Sequence, residues 1–186
     1  ACESYDLAPD GLSLTFKLRD GLTWHDGDDF TVEDVAWSIR TAIKAPRTHS
    51  VVGNTVNSIK GAAAFKDGST DDVSGIKYNI ADRSITLEMA TLDPNILTTF
   101  SQFAILPKHA LEGVDVLQLQ NSDFWQMPIG SGPFKVEEVK MNDFAKLVPF
   151  DNYHGGTANF DIIAYPSFDG DGNLIKNAAA GKMDYG

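Results

Sequence analysis

The N-terminal part of the chain joins a strand pattern, a turn-rich segment and a helix pattern, and this run constrains the fold most. Apolar and polar residues alternate over Leu12–Leu18, which predicts a strand covered on one face. Two Asp-Gly pairs follow and favour tight turns around a short strand at Leu22–Trp24. Apolar residues then recur at helical spacing as far as Ile43, which predicts a helix. Thr31 is its expected N-cap, with Asp34 as the capping-box partner.

Hydrophobic periodicity and turn residues predict the remaining elements in outline. In chain order they are an extended loop at 45–58, a short helix at 59–65, a hairpin with apolar rows at 76–80 and 85–89, a helix through 96–103, a helical turn at 107–111, strands at 134–139, 144–150 and 161–165, a helix at 174–180 and a strand from 183. Both apolar rows of the hairpin are expected on one face. The last strand, helix and strand suggest a parallel sheet.

The length of the chain bounds its domain organisation. It has 186 residues, 42% of them hydrophobic, which suits one large or two small domains with a real core. Near residues 120–124 a polar run gives way to a Gly/Pro-rich turn. We therefore predict that residues 1–122 form a small α/β domain with the strand, turn, helix and hairpin. Residues 123–186 are predicted to form a partial α/β domain that is incomplete at its C-terminus.

The charge balance and the distribution of apolar residues each argue against one class of partner. The chain carries 15 basic and 26 acidic side chains, a net charge of −11, and it has no Lys/Arg-rich run. Nucleic acid is therefore excluded as an expected partner. No apolar run approaches the roughly 18 residues of a membrane span, so contact with a membrane is expected only through a lipid anchor or a permease.

Four segments carry a resemblance to a known family. They are TFKLRDGLTWHDGDDFTVEDVAWSI at 15–39, MPIGSGPF at 127–134, NY at 152–153 with FDI at 160–162, and AGKMDY at 180–185. In this order they resemble the extracytoplasmic solute-binding proteins of ABC importers, in the group that handles dipeptides, oligopeptides, nickel and some oligosaccharides. His154 and Lys182 depart from the family pattern, where Trp and Glu are usual. The subgroup therefore stays open.

The resemblance implies a fold class and a function. The fold is α/β: a small α+β domain plus part of a periplasmic-binding-protein type II lobe, from a truncated two-lobe protein whose lobes close over a ligand. The expected function is capture of di- or oligopeptides and their delivery to ABC permease subunits, as a monomer, without a cofactor and without enzymatic activity. The alternatives are a nickel- or oligosaccharide-binding member of the group, and an adhesion or signalling domain without a transport ligand.

The resemblance also bears on location. Family members lie outside the cytoplasmic membrane, in the periplasm or at the cell surface, and many are lipoproteins acylated on an N-terminal cysteine. Cys2 is the one cysteine of the chain, so an internal disulfide is excluded. Its segment ACESYDLAPDG resembles LAESYEVSPDG, which lies well inside the mature chain of relatives. We therefore expect a missing N-terminal signal rather than an anchor at Cys2.

Two acidic clusters contain metal-ligating residue types, but their sequence context favours structural roles. One is the group of six side chains around the first helix start, namely His25, Asp26, Asp28, Asp29, Glu33 and Asp34. Caps and helix dipoles explain acids at that place without a metal. The other begins like a calcium loop at Asp169, Asp171 and Asn173, but it lacks the Gly and Glu that such a loop requires. We predict no metal site.

The sequence contains no recognisable catalytic constellation, so candidate residues come from the resemblance. Gly130, Ser131, Gly132 and Pro133 match neither a phosphate loop nor a nucleophile elbow and are interpreted as a turn whose backbone lines the cleft. The loop after the first helix extends toward the cleft in oligopeptide-binding members, and the segment after the last motif contributes contacts there. The candidate ligand-binding residues are Arg47, Thr48, His49, Ser50, Gly130, Ser131, Tyr185 and Gly186.

Overall fold

Two antiparallel sheets and five short helices make up the computed structural model, which describes residues 1–140, 144–160, 163–166 and 180–181. The elements are β1 Cys2–Leu7, β2 Ser13–Leu18, α1 Val32–Lys44, α2 Ser50–Asn57, α3 Ala62–Lys66, β3 Ile76–Asn79, β4 Ser84–Glu88, α4 Ile96–Gln102, α5 Lys108–Leu111, 3₁₀ turns Leu119–Asn121 and Asp123–Gln126, β5 Phe134–Lys140, β6 Phe144–Pro149 and β7 Ile163–Pro166.

The first sheet has the strand order β1-β2-β4-β3, with every neighbouring pair antiparallel. Its inner face carries the alternating apolar residues that the sequence predicted, since Leu14 of β2 lies opposite Leu87 of β4 and both are fully buried. On the other face, the hydroxyls of Thr15 and Thr86 share a hydrogen bond of 2.8 Å. The predicted strand and hairpin are confirmed.

Helix α1 packs its apolar face into the same core as the sheet. Ile39 and Ile43 are completely buried, together with Ala36. The predicted capping box is present, because the Thr31 hydroxyl accepts from the first turn and the Asp34 carboxylate accepts from the Thr31 amide. Local sequence alone therefore specifies where this helix begins, and burial of one apolar face holds it on the sheet.

Two local predictions in this part of the chain are wrong. Leu22–Trp24 is not a strand, and only an isolated bridge from Thr23 to Asp29 remains. The predicted loop at 45–58 contains α2, although β-branched residues and Gly53 give this segment weak helix propensity. Val56 on this helix is fully buried, so packing overrides propensity here. Strand β1 was not predicted, because it is exposed throughout and shows no alternation.

The hairpin is covered less completely than its apolar pattern predicts. Ile76 is buried, but Tyr78 and Ile80 further along the same row are 40% and 55% exposed. The pairing Tyr78 to Ile85 places the two rows on one face as expected. The core therefore ends before the tip of the hairpin.

The second sheet has the order β5-β6-β7 and is antiparallel over its described strands. Strands β5 and β6 confirm the predicted pair, and β7 confirms part of the predicted strand at 161–165. No residue within β5 or β6 is buried, whereas Phe150 just after β6 is. The predicted helix at 174–180 lies almost wholly outside the described residues, as does the strand from 183, so the parallel sheet stays a prediction.

The boundary predicted between residues 122 and 123 falls between the two 3₁₀ turns. The division into two domains stays a prediction. Among the helices that the structure describes, none has both the length and the apolar character that crossing a membrane requires.

Candidate functional site

The turn before α1 is the point where the first sheet and its helices meet the second sheet. Its Trp24 side chain is buried and packs on Phe30, with ring centroids 4.8 Å apart. The Trp24 amide donates to the Asp28 carbonyl at 2.8 Å and closes the turn. The next residue, His25, is half-buried. Its ring lies within hydrogen-bonding distance of the turn formed by residues 130–132.

Three hydrogen bonds join His25 to the turn at residues 130–132. The His25 amide donates to the Gly130 carbonyl at 2.9 Å, and the Gly130 amide donates to His25 Nδ1 at 3.1 Å. His25 Nε2 lies 3.0 Å from the Gly132 carbonyl oxygen. Because Nδ1 accepts a hydrogen bond, the proton of the neutral ring belongs on Nε2, which donates to Gly132. The ring also meets Phe150 edge-on, with centroids 4.9 Å apart.

The electrostatic environment of the His25 imidazole favours its neutral form. Burial lowers the pKa of His25 below its usual value, and the positive charge of Lys135 acts in the same direction. The hydrogen bond to the Gly132 carbonyl and the negative charge of Asp26 oppose this change, but the net pKa is lowered. The lowered pKa therefore favours the neutral ring, which is the form in which Nδ1 can accept from the Gly130 amide.

The imidazole approaches Gly130 so closely that a side chain at this position would crowd the ring. A Cβ atom on Gly130 would lie 3.0 Å from His25 Cε1, whereas a Cβ on Gly132 would meet nothing within 4 Å. The sequence indicated a turn at Gly130 and Ser131 but gave no sign of its partner. His25 and Gly130 are 105 residues apart, so no local pattern could have joined them.

The predicted ligand loop from Arg47 to Ser50 is exposed and connects α1 with α2. Its hydrogen bonds run to neighbouring helices: the Thr48 hydroxyl donates to the Ala42 carbonyl at 3.4 Å, and the His49 carbonyl accepts from Gly53 at 2.8 Å. Among the described residues, no hydrogen bond links this loop to Gly130 or Ser131. Tyr185 and Gly186 lie outside the described residues, as do Asp169, Asp171 and Asn173.

The six side chains around the start of α1 do not converge on one point. Asp34 faces the interior and His25 faces Gly130, whereas Asp26 and Asp28 approach His109 of α5. His109 Nε2 is 2.8 Å from an Asp26 oxygen and 3.6 Å from an Asp28 oxygen. The sequence could not anticipate this pairing, because 83 residues separate His109 from Asp26.

The surface group of Asp26, Asp28 and His109 behaves as a hydrogen-bonded pair with a nearby acid. Desolvation raises the pKa of Asp26, but the hydrogen bonds from His109 and the Asp28 amide outweigh it, so the net pKa is lowered. One donor atom from each of the three lies within 4.8 Å of the others, a spacing that would also suit a cation. All three are exposed, and the contact of His109 with Asp26 already uses the same atoms.

Comparison with known proteins gives a consistent result over the whole chain. Residues 1–186 match the family described as bacterial extracellular solute-binding proteins, family 5 Middle. A Brucella ovis protein, provisionally named an ABC transporter peptide-binding protein, is 27% identical over 98% of this chain and 32% of its own length. The oligopeptide-binding protein AppA of Bacillus subtilis is 27% identical over 94% of this chain and 30% of its own length.

Solved structures share the fold. NikZ from Campylobacter jejuni in complex with Ni(L-His) has a TM-score of 0.79 at 25% identity, covering 98% of this chain and 33% of NikZ. Lactococcal OppA complexed with an endogenous peptide has a TM-score of 0.83 at 22% identity, over 97% of this chain and 34% of OppA. The chain thus spans about a third of the length of the relatives that it matches. It belongs to family 5 of the bacterial extracellular solute-binding proteins.

Proposed function

We propose that this chain is part of the solute-binding component of an ABC importer, and that the whole protein captures di- or oligopeptides outside the cytoplasmic membrane. The observation that carries the proposal is the family match over residues 1–186, together with relatives named for peptide binding. In this proposal the protein passes its ligand to permease subunits, works as a monomer and performs no covalent chemistry. A lipid anchor on the whole protein is compatible with it.

The burial of the second sheet supports a larger binding protein. Strands β5 and β6 contain half-buried residues but no fully buried one, whereas β2 and β4 of the first sheet bury several. Apolar residues left half covered are stabilised when further polypeptide packs on them. We propose that a second lobe of the whole protein supplies this cover and the opposing wall of the ligand cleft, while residues 1–122 form a small domain and residues 123–186 belong to the first lobe.

A nickel complex is the second candidate ligand. NikZ, which has the same fold and 25% identity, was solved with Ni(L-His). Binding of such a complex needs a pocket for a chelate and not a groove for an extended backbone. The two ligand classes therefore make different demands on the same cleft.

Ligand-dependent stabilisation of the full-length parent protein tests this proposal. The probes are a mixed di- to nonapeptide library, nickel with L-histidine, and an oligosaccharide mixture. A ligand that binds only the folded protein raises its free energy of unfolding by about 2.7 kcal/mol at a hundredfold excess over Kd. We expect the peptide library to raise the melting temperature. No change with peptides would refute the peptide proposal, and a rise with nickel and histidine alone would replace it with the second candidate.

Substitutions in the loop from Arg47 to Ser50 and in the turn at Gly130 and Ser131 test the proposed ligand contacts. Arg47→Ala and Ser131→Ala should weaken binding of a peptide that the library identifies, while Lys66→Ala, an exposed cation on α3, should leave it unchanged. Calorimetric titration measures the affinity. Equal affinity in all three variants would remove Arg47 and Ser131 from the ligand site without touching the transport proposal.

A further inference from the structure

The contact between His25 and the turn at 130–132 has a property that an ordinary backbone contact lacks. Both ring nitrogens are engaged, Nδ1 as an acceptor from the Gly130 amide and Nε2 as a donor to the Gly132 carbonyl. Only neutral imidazole can accept and donate at the same time, because imidazolium carries a proton on each nitrogen. Protonation would therefore set the Nδ1 proton against the Gly130 amide proton.

We infer that His25 is an acid-sensitive clamp between the turn before α1 and the turn before β5, closed when the ring is neutral and opened by protonation. The closed clamp aligns the second sheet with the first, because these turns lead directly into α1 and β5. Phe150, which follows β6, packs edge-on against the same ring and donates its amide to the Pro133 carbonyl at 2.9 Å. One side chain thus contacts the residues just before β5 and just after β6, which lie side by side at the same end of this antiparallel pair.

The charged groups around the ring agree with this inference. Lys135 in β5 lowers the pKa of His25 in addition to the larger effect of burial, and Asp26 in the ring's own turn raises it by a smaller amount. Phe150, which packs against the ring, is uncharged. The Gly132 carbonyl, which opposes the lowering, accepts from Nε2 in either protonation state. Because this contact favours the charged ring, it opposes opening, and the contact that protonation breaks is the one between Nδ1 and the Gly130 amide.

The direction of the pH effect follows from the lowered pKa. An opened or unfolded state has the ordinary histidine pKa of about 6.5 and so binds the proton more readily than the closed clamp. The contribution of the clamp is therefore complete above about pH 6.5 and is lost as the pH falls through the lower pKa of the closed state. This inference rests on the described junction and does not depend on which ligand the protein binds.

Hydrogen–deuterium exchange on the full-length parent protein tests the clamp in two ways. Exchange at the imidazole C2 position, followed by mass spectrometry, gives the pKa of His25, and we expect it below about 6.5. Amide exchange in a peptide covering residues 129–132, corrected for the intrinsic rate, reports the turn itself. Its protection should fall about tenfold across that pKa, the change expected from one hydrogen bond of typical net strength.

Matched variants make the test decisive. His25→Gln cannot titrate, so the acid-dependent loss of protection should disappear, whereas His49→Gln, on the exposed loop before α2, should keep it. A His25 pKa at or above the ordinary value would overturn the inference. So would an unchanged acid response of residues 129–132 in His25→Gln. If that variant does not fold, the titration of the wild-type ring still decides.

Discussion

Asp34 holds two parts of the chain together through one buried carboxylate that is only 4% exposed. One oxygen, Oδ2, accepts from the Thr31 amide at 2.8 Å and from the Thr31 hydroxyl at 3.3 Å. The other, Oδ1, accepts from the Lys108 amide at 3.0 Å. The same side chain therefore caps α1 and anchors the start of α5, which lies 74 residues further along the chain.

Asp34→Asn removes the charge and one acceptor oxygen while keeping the shape. The amide NH₂ must then face either the Thr31 or the Lys108 amide, which leaves a donor without an acceptor. An unsatisfied buried donor costs about 1–3 kcal/mol, and hydrogen bonds to a charged group contribute about 1.5–3 kcal/mol each. Since one bond is lost and the others lose their charge, we expect the free energy of unfolding to fall by about 3 kcal/mol.

Urea unfolding at pH 7, followed by fluorescence and circular dichroism, measures this change. The midpoint should fall with little change in the m-value, since the surface exposed on unfolding is the same. Asp29→Asn is the matched control, because it makes the same chemical change at an exposed residue of the same turn and should stay within about 0.5 kcal/mol of wild type. An Asp34→Asn protein as stable as the control would refute the role assigned to the carboxylate.

Substitutions at three further places test the packing of the chain, with urea unfolding as the common measurement. Gly130→Ala should lower the free energy of unfolding by about 1–2 kcal/mol, because its Cβ would press on the His25 ring. Gly132→Ala has free space and should cost clearly less. Equal losses of stability in the two variants would contradict the close approach of the ring to Gly130. Ile39→Ala should cost about 3 kcal/mol through a cavity in the core, and a loss below about 1 kcal/mol would indicate a site able to collapse. Thr55→Val keeps the shape but removes two hydroxyl hydrogen bonds, for an expected loss of about 2 kcal/mol; an unchanged stability would mean that these bonds add nothing.

Several errors of the sequence-based predictions have a common cause. Helix α2 has weak local propensity and forms because Val56 and Thr55 are buried, with the Thr55 hydroxyl donating to Asp93 at 2.5 Å. The short strand predicted at Leu22–Trp24 fails because the turn bends the chain within a few residues. Alternation and propensity alone therefore miss both the burial that stabilises α2 and the turn contacts that replace the short strand.

The candidate site also combines residues that the sequence points to with contacts that only the folded chain reveals. The sequence predicts structural roles for the acidic residues around His25 and a cleft-lining turn at Gly130 and Ser131, and it does not relate the two turns to each other. Their mutual hydrogen bonds appear only in the folded chain. The exposed loop from Arg47 to Ser50 was singled out through the family resemblance, and its role in ligand binding stays a prediction.

Sequence by itself determined the elements whose information is local. The alternation over β2, the capping box from Thr31 to Asp34 and the apolar face of α1 depend on residues within a few positions of one another, so periodicity and hydrogen-bonding chemistry specify them. Only the tertiary structure decided that His25 meets Gly130 and that His109 meets Asp26. Those pairs form because burial of separate apolar faces brings distant turns together, and this depends on the packing of the whole chain.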